Sequence, residues 1–149
     1  MTTEPSLQWT HRPLPTAIGP RDTWTWTIAR PAELTAARNV LRRSLTAEPP
    51  PQGADADDVD RLLLTFEELA SNGLRHSGAP VQVRVDGCHG GWLIDVSDVR
   101  PDQPPVLAVD RDPALGGLGL HLIARLSAAF GWAVIGTRKH VWAALLPAT

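Results

Sequence analysis

Glu68, Asn72 and His76 stand four residues apart, so on a helix they share one face, with about 6 Å of rise between successive members. A carboxylate, a neutral amide and an imidazole aligned in this way can point at a single ligand. They can equally form a solvated polar face, where such residues are common. At helical spacing this face is expected to lie nearly opposite an apolar stripe centred on Phe66, outside the core and turned toward water or something bound. Asp98 stands where a strand should end and a proline-rich stretch begins, a place where aspartate also serves as a turn residue. Gly116-Gly117-Leu118-Gly119-Leu120 precedes a helical pattern. Taken alone, it is either a flexible entry to that helix or backbone left bare for a ligand.

The elements that must position these residues can be read from periodicity. Trp24, Trp26 and Ile28 alternate with Thr25 and Thr27, predicting a first strand. Pro31 suits the first turn of a helix whose stripe is Leu34, Ala37, Leu41 and Leu45, and Pro49-Pro50-Pro51 forbids its continuation. A second helix opens in the cluster Asp55, Asp57 and Asp58, where carboxylates complement the helix dipole. It carries Val59, Leu62, Leu63, Phe66, Leu69, Ala70 and Gly73 on one side and should stop near Ser77-Gly78, ahead of Pro80. Val81, Val83 and Val85, a turn over 87–91, then Trp92, Ile94 and Val96 predict a hairpin.

Residues 99–116 hold four prolines and little periodicity. A loop of that length inside a compact domain suggests a lid. A third helix is expected over about 117–130, with Leu118, Leu122, Ile123, Leu126 and Phe130 on one side and Gly131 ending it. Residues 132–135 and 141–146 should then form a last hairpin. The order strand, helix, helix, two strands, loop, helix, two strands predicts an α+β two-layer sandwich, with a mixed, mostly antiparallel sheet and helices on one face. Residues 1–22 should be an extended or loose lead-in, and 23–149 a single domain.

The 149-residue length and 43% hydrophobic content suit one domain with one core. A net charge of −2 offers no footprint for nucleic acid. With no apolar leader pattern and no long apolar run, neither secretion nor membrane spanning is indicated, and a cytoplasmic protein is expected. Cys88 is the only cysteine, which excludes an internal disulfide and a cysteine-rich zinc site.

The run Glu68-Leu69-Ala70-Ser71-Asn72-Gly73-Leu74-Arg75-His76-Ser77 resembles the N-box of the histidine-kinase-like ATPases, the superfamily of gyrase B and sensor kinases. Its Arg-His ending is especially similar to the bacterial anti-sigma-factor serine kinases. The resemblance implies that Asn72 ligates Mg²⁺, and that Glu68 acts as, or orients, the base toward an attacking hydroxyl. Arg75 and His76 are carried into the nucleotide site with them, although His76 also suits a helix C-terminus. Mg²⁺ takes only one or two protein oxygens when a triphosphate supplies the rest, which is consistent with an amide beside a carboxylate.

In the superfamily an aspartate at the position of Asp98 accepts the adenine amine, and an alternating pair of glycines follows. Here Arg100 and Asp102 replace both glycines. Gly117, Gly119 and Leu120 resemble the second glycine box, where amides at a helix N-terminus receive phosphate oxygens. Two rival phosphate motifs are absent: no G-x-x-x-x-G-K-[ST] occurs, and Leu122 stands where the dinucleotide fingerprint needs its third glycine. Lys139-His140-Val141-Trp142-Ala143 is similar to the family's terminal strand, with Trp142 expected in the core.

The resemblance covers about Trp24 to Leu146. It implies a regulator that binds ATP and Mg²⁺ and phosphorylates a serine or threonine on a small antagonist protein, while another surface holds a sigma factor. Related kinases often form homodimers. The alternative is a nucleotide-binding or degenerate module that acts by protein contact alone.

Overall fold

A computed structural model of the chain describes residues 11–15, 22–47, 54–78, 80–88, 90–100, 102 and 123–146. Strand β1 (Asp22–Ile28) leads into helices α1 (Pro31–Ala47) and α2 (Ala56–Ser77), followed by the hairpin β2 (Val81–Cys88) and β3 (Gly91–Asp98) and the closing hairpin β4 (Ala129–Ile135) and β5 (Arg138–Leu145). Helix α1 buries Leu34, Ala37, Leu41 and Leu45, the stripe its spacing predicts.

Helix α2 starts at a reciprocal capping box. The Asp55 carboxylate accepts the Asp58 amide at 3.0 Å, and the Asp58 carboxylate accepts the Asp55 amide at 2.9 Å. Arg61 also binds Asp58, at 2.5 Å, and donates to the carbonyls of Leu126 and Leu146. The same side chain therefore ties this helix start to the C-terminal part of the fold. At its other end Gly78, at φ 65°, takes the left-handed conformation that glycine adopts without strain.

The sheet order is β1-β2-β3-β5-β4, and every ladder between these strands is antiparallel. The one parallel pairing among the described residues is an isolated bridge from His11 to Trp132. Val81, Val83, Val85, Ile94, Val96, Val141, Ala143 and Leu145 point to one face of the sheet and close the core with Leu62, Leu63, Phe66 and Leu69 of α2. The α+β architecture with helices on one face is thus as expected.

The third helix ends earlier than expected. Of the predicted third helix, residues 117–122 lie outside the described residues, and 123–126 are helical. The helix does not reach residue 130. The Ser127 hydroxyl binds the Ile123 carbonyl at 2.7 Å, the Ala128 amide turns to the Ala144 carbonyl, and Phe130 and Gly131 lie in β4 opposite Ala143 and Trp142. The spacing of Leu126 and Phe130 fits a helix, but Val134, Ile135 and the turn at Gly136 make this stretch a pairing partner for β5, and the ladder prevails.

Trp142 is fully buried, as expected, on the sheet face away from the helices, level with Asp95 and Gly131. There the Arg12 guanidinium sits 5.5 Å from its ring centre, and its indole N–H donates to the Arg12 carbonyl. Of the expected lid only residues 99, 100 and 102 are described. No helix among the described residues is long and apolar enough to cross a membrane.

Candidate functional site

Gly73 sets the distance between α2 and the sheet. A Cβ there would come within 3.0 Å of a Val81 methyl and 3.2 Å of a Val96 methyl, so only glycine admits this approach without repacking. Asn72 precedes that contact in α2, and Asp98 follows Val96 by two residues on the same sheet face. The link is drawn tighter by Arg100, whose guanidinium donates to the Ser77 carbonyl at 3.2 Å. Ser77 lies about 7.5 Å along the helix from Asn72. The C-terminal half of α2 and the end of β3 are therefore packed against one another.

Asn72 is only 5% exposed, and its Oδ1 has no hydrogen-bond partner. This departs from the expectation that the Glu68, Asn72 and His76 face lies outside the core. Asn72 is about 120° round the helix from Phe66 rather than opposite it. It lines up with Thr65, which is also buried, on the flank of a wide buried arc. A buried acceptor left without a donor costs about 1–3 kcal/mol. A hard cation would satisfy it, so the donor chemistry fits Mg²⁺.

Glu68, one turn earlier, is half-buried, and its carboxylate has no hydrogen-bond or ion-pair partner among the described residues. His76 is exposed at the end of the helix. Arg75 is exposed too and donates to the Ser71 hydroxyl at 3.3 Å. It lines a shallow groove with Ala29, Pro31, Leu74, Gly78 and Pro80, which includes neither Asn72 nor Asp98.

Asp98 is 3% exposed and well partnered. One carboxylate oxygen accepts the Arg100 amide at 2.8 Å, and the other lies 3.3 Å from the Lys139 ammonium, itself 4% exposed. The pair follows from register, because Asp98 and Lys139 are direct partners across the β3–β5 ladder. Lys139 was not among the residues singled out from sequence as part of the site. The signal was present in the alternation Lys139, Val141, Ala143, Leu145, whose three apolar members face the core.

Gly117, Gly119 and Leu120 lie outside the described residues. No cluster of three or more His, Cys, Asp or Glu side chains suited to a metal occurs among the described residues. A cation at Asn72 would thus draw the rest of its shell from a ligand or from water.

A family model described as histidine kinase-like ATPase domain matches residues 28–144, most of the chain. Comparison with curated proteins gives no match.

Proposed function

Because the chain belongs to the histidine kinase-like ATPase domain family, whose members bind ATP, we propose that it is a Mg²⁺-dependent protein serine/threonine kinase of the anti-sigma-factor type, acting on a small antagonist protein. The observation that carries this reading is the buried Asn72 Oδ1, one helical turn from the Glu68 carboxylate, both without a partner among the described residues. Asn72 would hold Mg²⁺ together with the nucleotide, and Mg²⁺ when bound supplies neutralisation of phosphate charge. Glu68 would accept the proton of the attacking hydroxyl. A purely binding site has no need of an unpaired carboxylate in that position, and its half-burial leaves it reachable from solvent. Gly117, Gly119 and Leu120 would cradle phosphate oxygens, and Asp98 would meet the adenine amine.

Proton transfer by a positioned side chain contributes about 10²–10⁴-fold in rate. Glu68→Ala should therefore keep Mg-ATP affinity, measured by calorimetry, and lose phosphoryl transfer to the antagonist by about that factor. Transfer at the wild-type rate in this variant removes Glu68 from its role.

A second reading is supported by Asp98. Its carboxylate already has two partners, the Arg100 backbone amide and the Lys139 ammonium. A module that binds nucleotide weakly and regulates a partner by contact would have this character. Calorimetric titration with ATP, with and without magnesium, separates the two. Magnesium-dependent binding supports the kinase, whereas folded protein that binds no ATP at millimolar concentration supports the contact module.

A further inference from the structure

The strands that close the core leave a second, polar face. Val81, Val83, Val85, Ile94, Val96 and Val141 pack toward the helices, so by alternation Arg84, Asp95, Ser97 and His140 turn the other way, with Thr25 and Thr27 of β1 beside them. These six residues line a hollow of about 480 Å³ on that face, a volume in the range of small-molecule sites. None of them has a place in the proposed nucleotide site.

At its centre stands a pair of opposite charges that does not close. Arg84 and Asp95 are direct partners across the β2–β3 ladder, an arrangement in which such charges stabilise a sheet by pairing. Each is engaged elsewhere instead. The Arg84 Nε donates to the two Asp86 oxygens at 3.0 and 3.1 Å, and Asp86 is fixed in turn by the Thr23 hydroxyl at 2.8 Å. Asp95 turns to His140, whose Nδ1 lies 2.9 and 2.8 Å from its oxygens. An ionised carboxylate only accepts, so Nδ1 carries the proton of this bond. The Nη groups of Arg84 have no partner among the described residues. Asp95 keeps acceptor capacity beyond Nδ1, since each carboxylate oxygen has two lone pairs.

Charge decides what fits between them. A purely anionic ligand would meet Asp95, and a purely cationic one would meet Arg84. A small zwitterion satisfies both, with its carboxylate on the planar guanidinium fork and its ammonium on Asp95. Facing side chains of a ladder start about 4.5–5.5 Å apart, which suits two charged groups borne on one carbon. Thr25, directly across from Arg84 on its other side, is exposed and can add a hydroxyl to the same carboxylate. We propose that this hollow binds a free α-amino acid, its carboxylate held by Arg84 and its ammonium by Asp95. The site lies on the opposite side of the sheet from α2 and is independent of the nucleotide reading.

Calorimetric titration of the full chain with each of the standard amino acids tests it. At least one should bind with a dissociation constant of about 1 mM or lower. Its N-acetyl and carboxamide derivatives, each lacking one of the two charges, should bind about tenfold more weakly or worse. Arg84→Met should weaken the parent amino acid by about the same factor, and Asp95→Asn should do so too. Arg84 is exposed, and an unchanged circular dichroism spectrum will show that its variant is folded. Failure of every amino acid to bind at about 10 mM overturns the proposal. So does equal affinity for the derivatives, or an Arg84→Met chain that binds as wild type does.

Discussion

Asn72 lies on α2 and Asp98 at the end of β3, the strand packed against that helix, and both are at least nine-tenths buried. One has an acceptor with no donor, and the other has both carboxylate oxygens engaged. An unsatisfied buried group persists when something outside the chain satisfies it or when function compensates its cost. A satisfied one has its structural role already. The helix side thus holds an acceptor that a guest could satisfy, whereas the strand side is closed from within by Lys139 and the Arg100 amide. In the proposed kinase, Mg²⁺ and phosphates would be held at the helix side, and the base would meet an aspartate that already carries an ion pair.

The largest expected effect tests the closed side. Lys139→Met leaves the Asp98 carboxylate buried without its ion-pair partner and should cost about 3–5 kcal/mol in folding stability, read from denaturant unfolding. A loss below about 1 kcal/mol, the level of an exposed pair, would show that Asp98 does not depend on Lys139 and would erase the contrast.

Next comes the helix side. Asn72→Ala removes an acceptor that gains nothing in the free protein, so stability should stay within about 0.5 kcal/mol or rise. ATP affinity in magnesium should fall about tenfold or more as the oxygen ligand is lost, while affinity without magnesium stays the same. Equal magnesium-dependent affinity in wild type and variant removes Asn72 from the metal.

The difference between the two sides was only partly legible in the sequence. Helices α1 and α2 could be read closely because their stripes keep one period and their ends carry Pro31, Asp55 and Gly78. The burial of Asn72 was missed because a wheel centred on Phe66 suggests a narrow apolar arc. Helix α2 buries a wider one, including Asp58, Thr65 and Asn72, as it packs on α1 and the sheet together. The ion pair was missed for another reason. Lys139 follows a turn and reads as surface, and only the register of β3 on β5 brings it opposite Asp98. The start of β4 was lost to an apolar spacing that suits both periods, with Gly131 imitating a helix stop.

The smallest effect concerns Arg100, which contributes to the closed side in two separable ways. Its backbone amide binds Asp98 and survives any substitution except proline, while its guanidinium holds the Ser77 carbonyl at the end of α2. Arg100→Gly places glycine where the resemblance implies it and removes only the second contact. The net loss of one such hydrogen bond is about 0.5–1.5 kcal/mol, with a few tenths more from the added freedom of glycine in the unfolded chain. If the arginine side chain is what bars the base, ATP should bind several-fold more tightly to this variant by calorimetry, despite its lower stability. If affinity is unchanged, the closure belongs to Lys139 and the Arg100 backbone amide, and the arginine side chain takes no part in it.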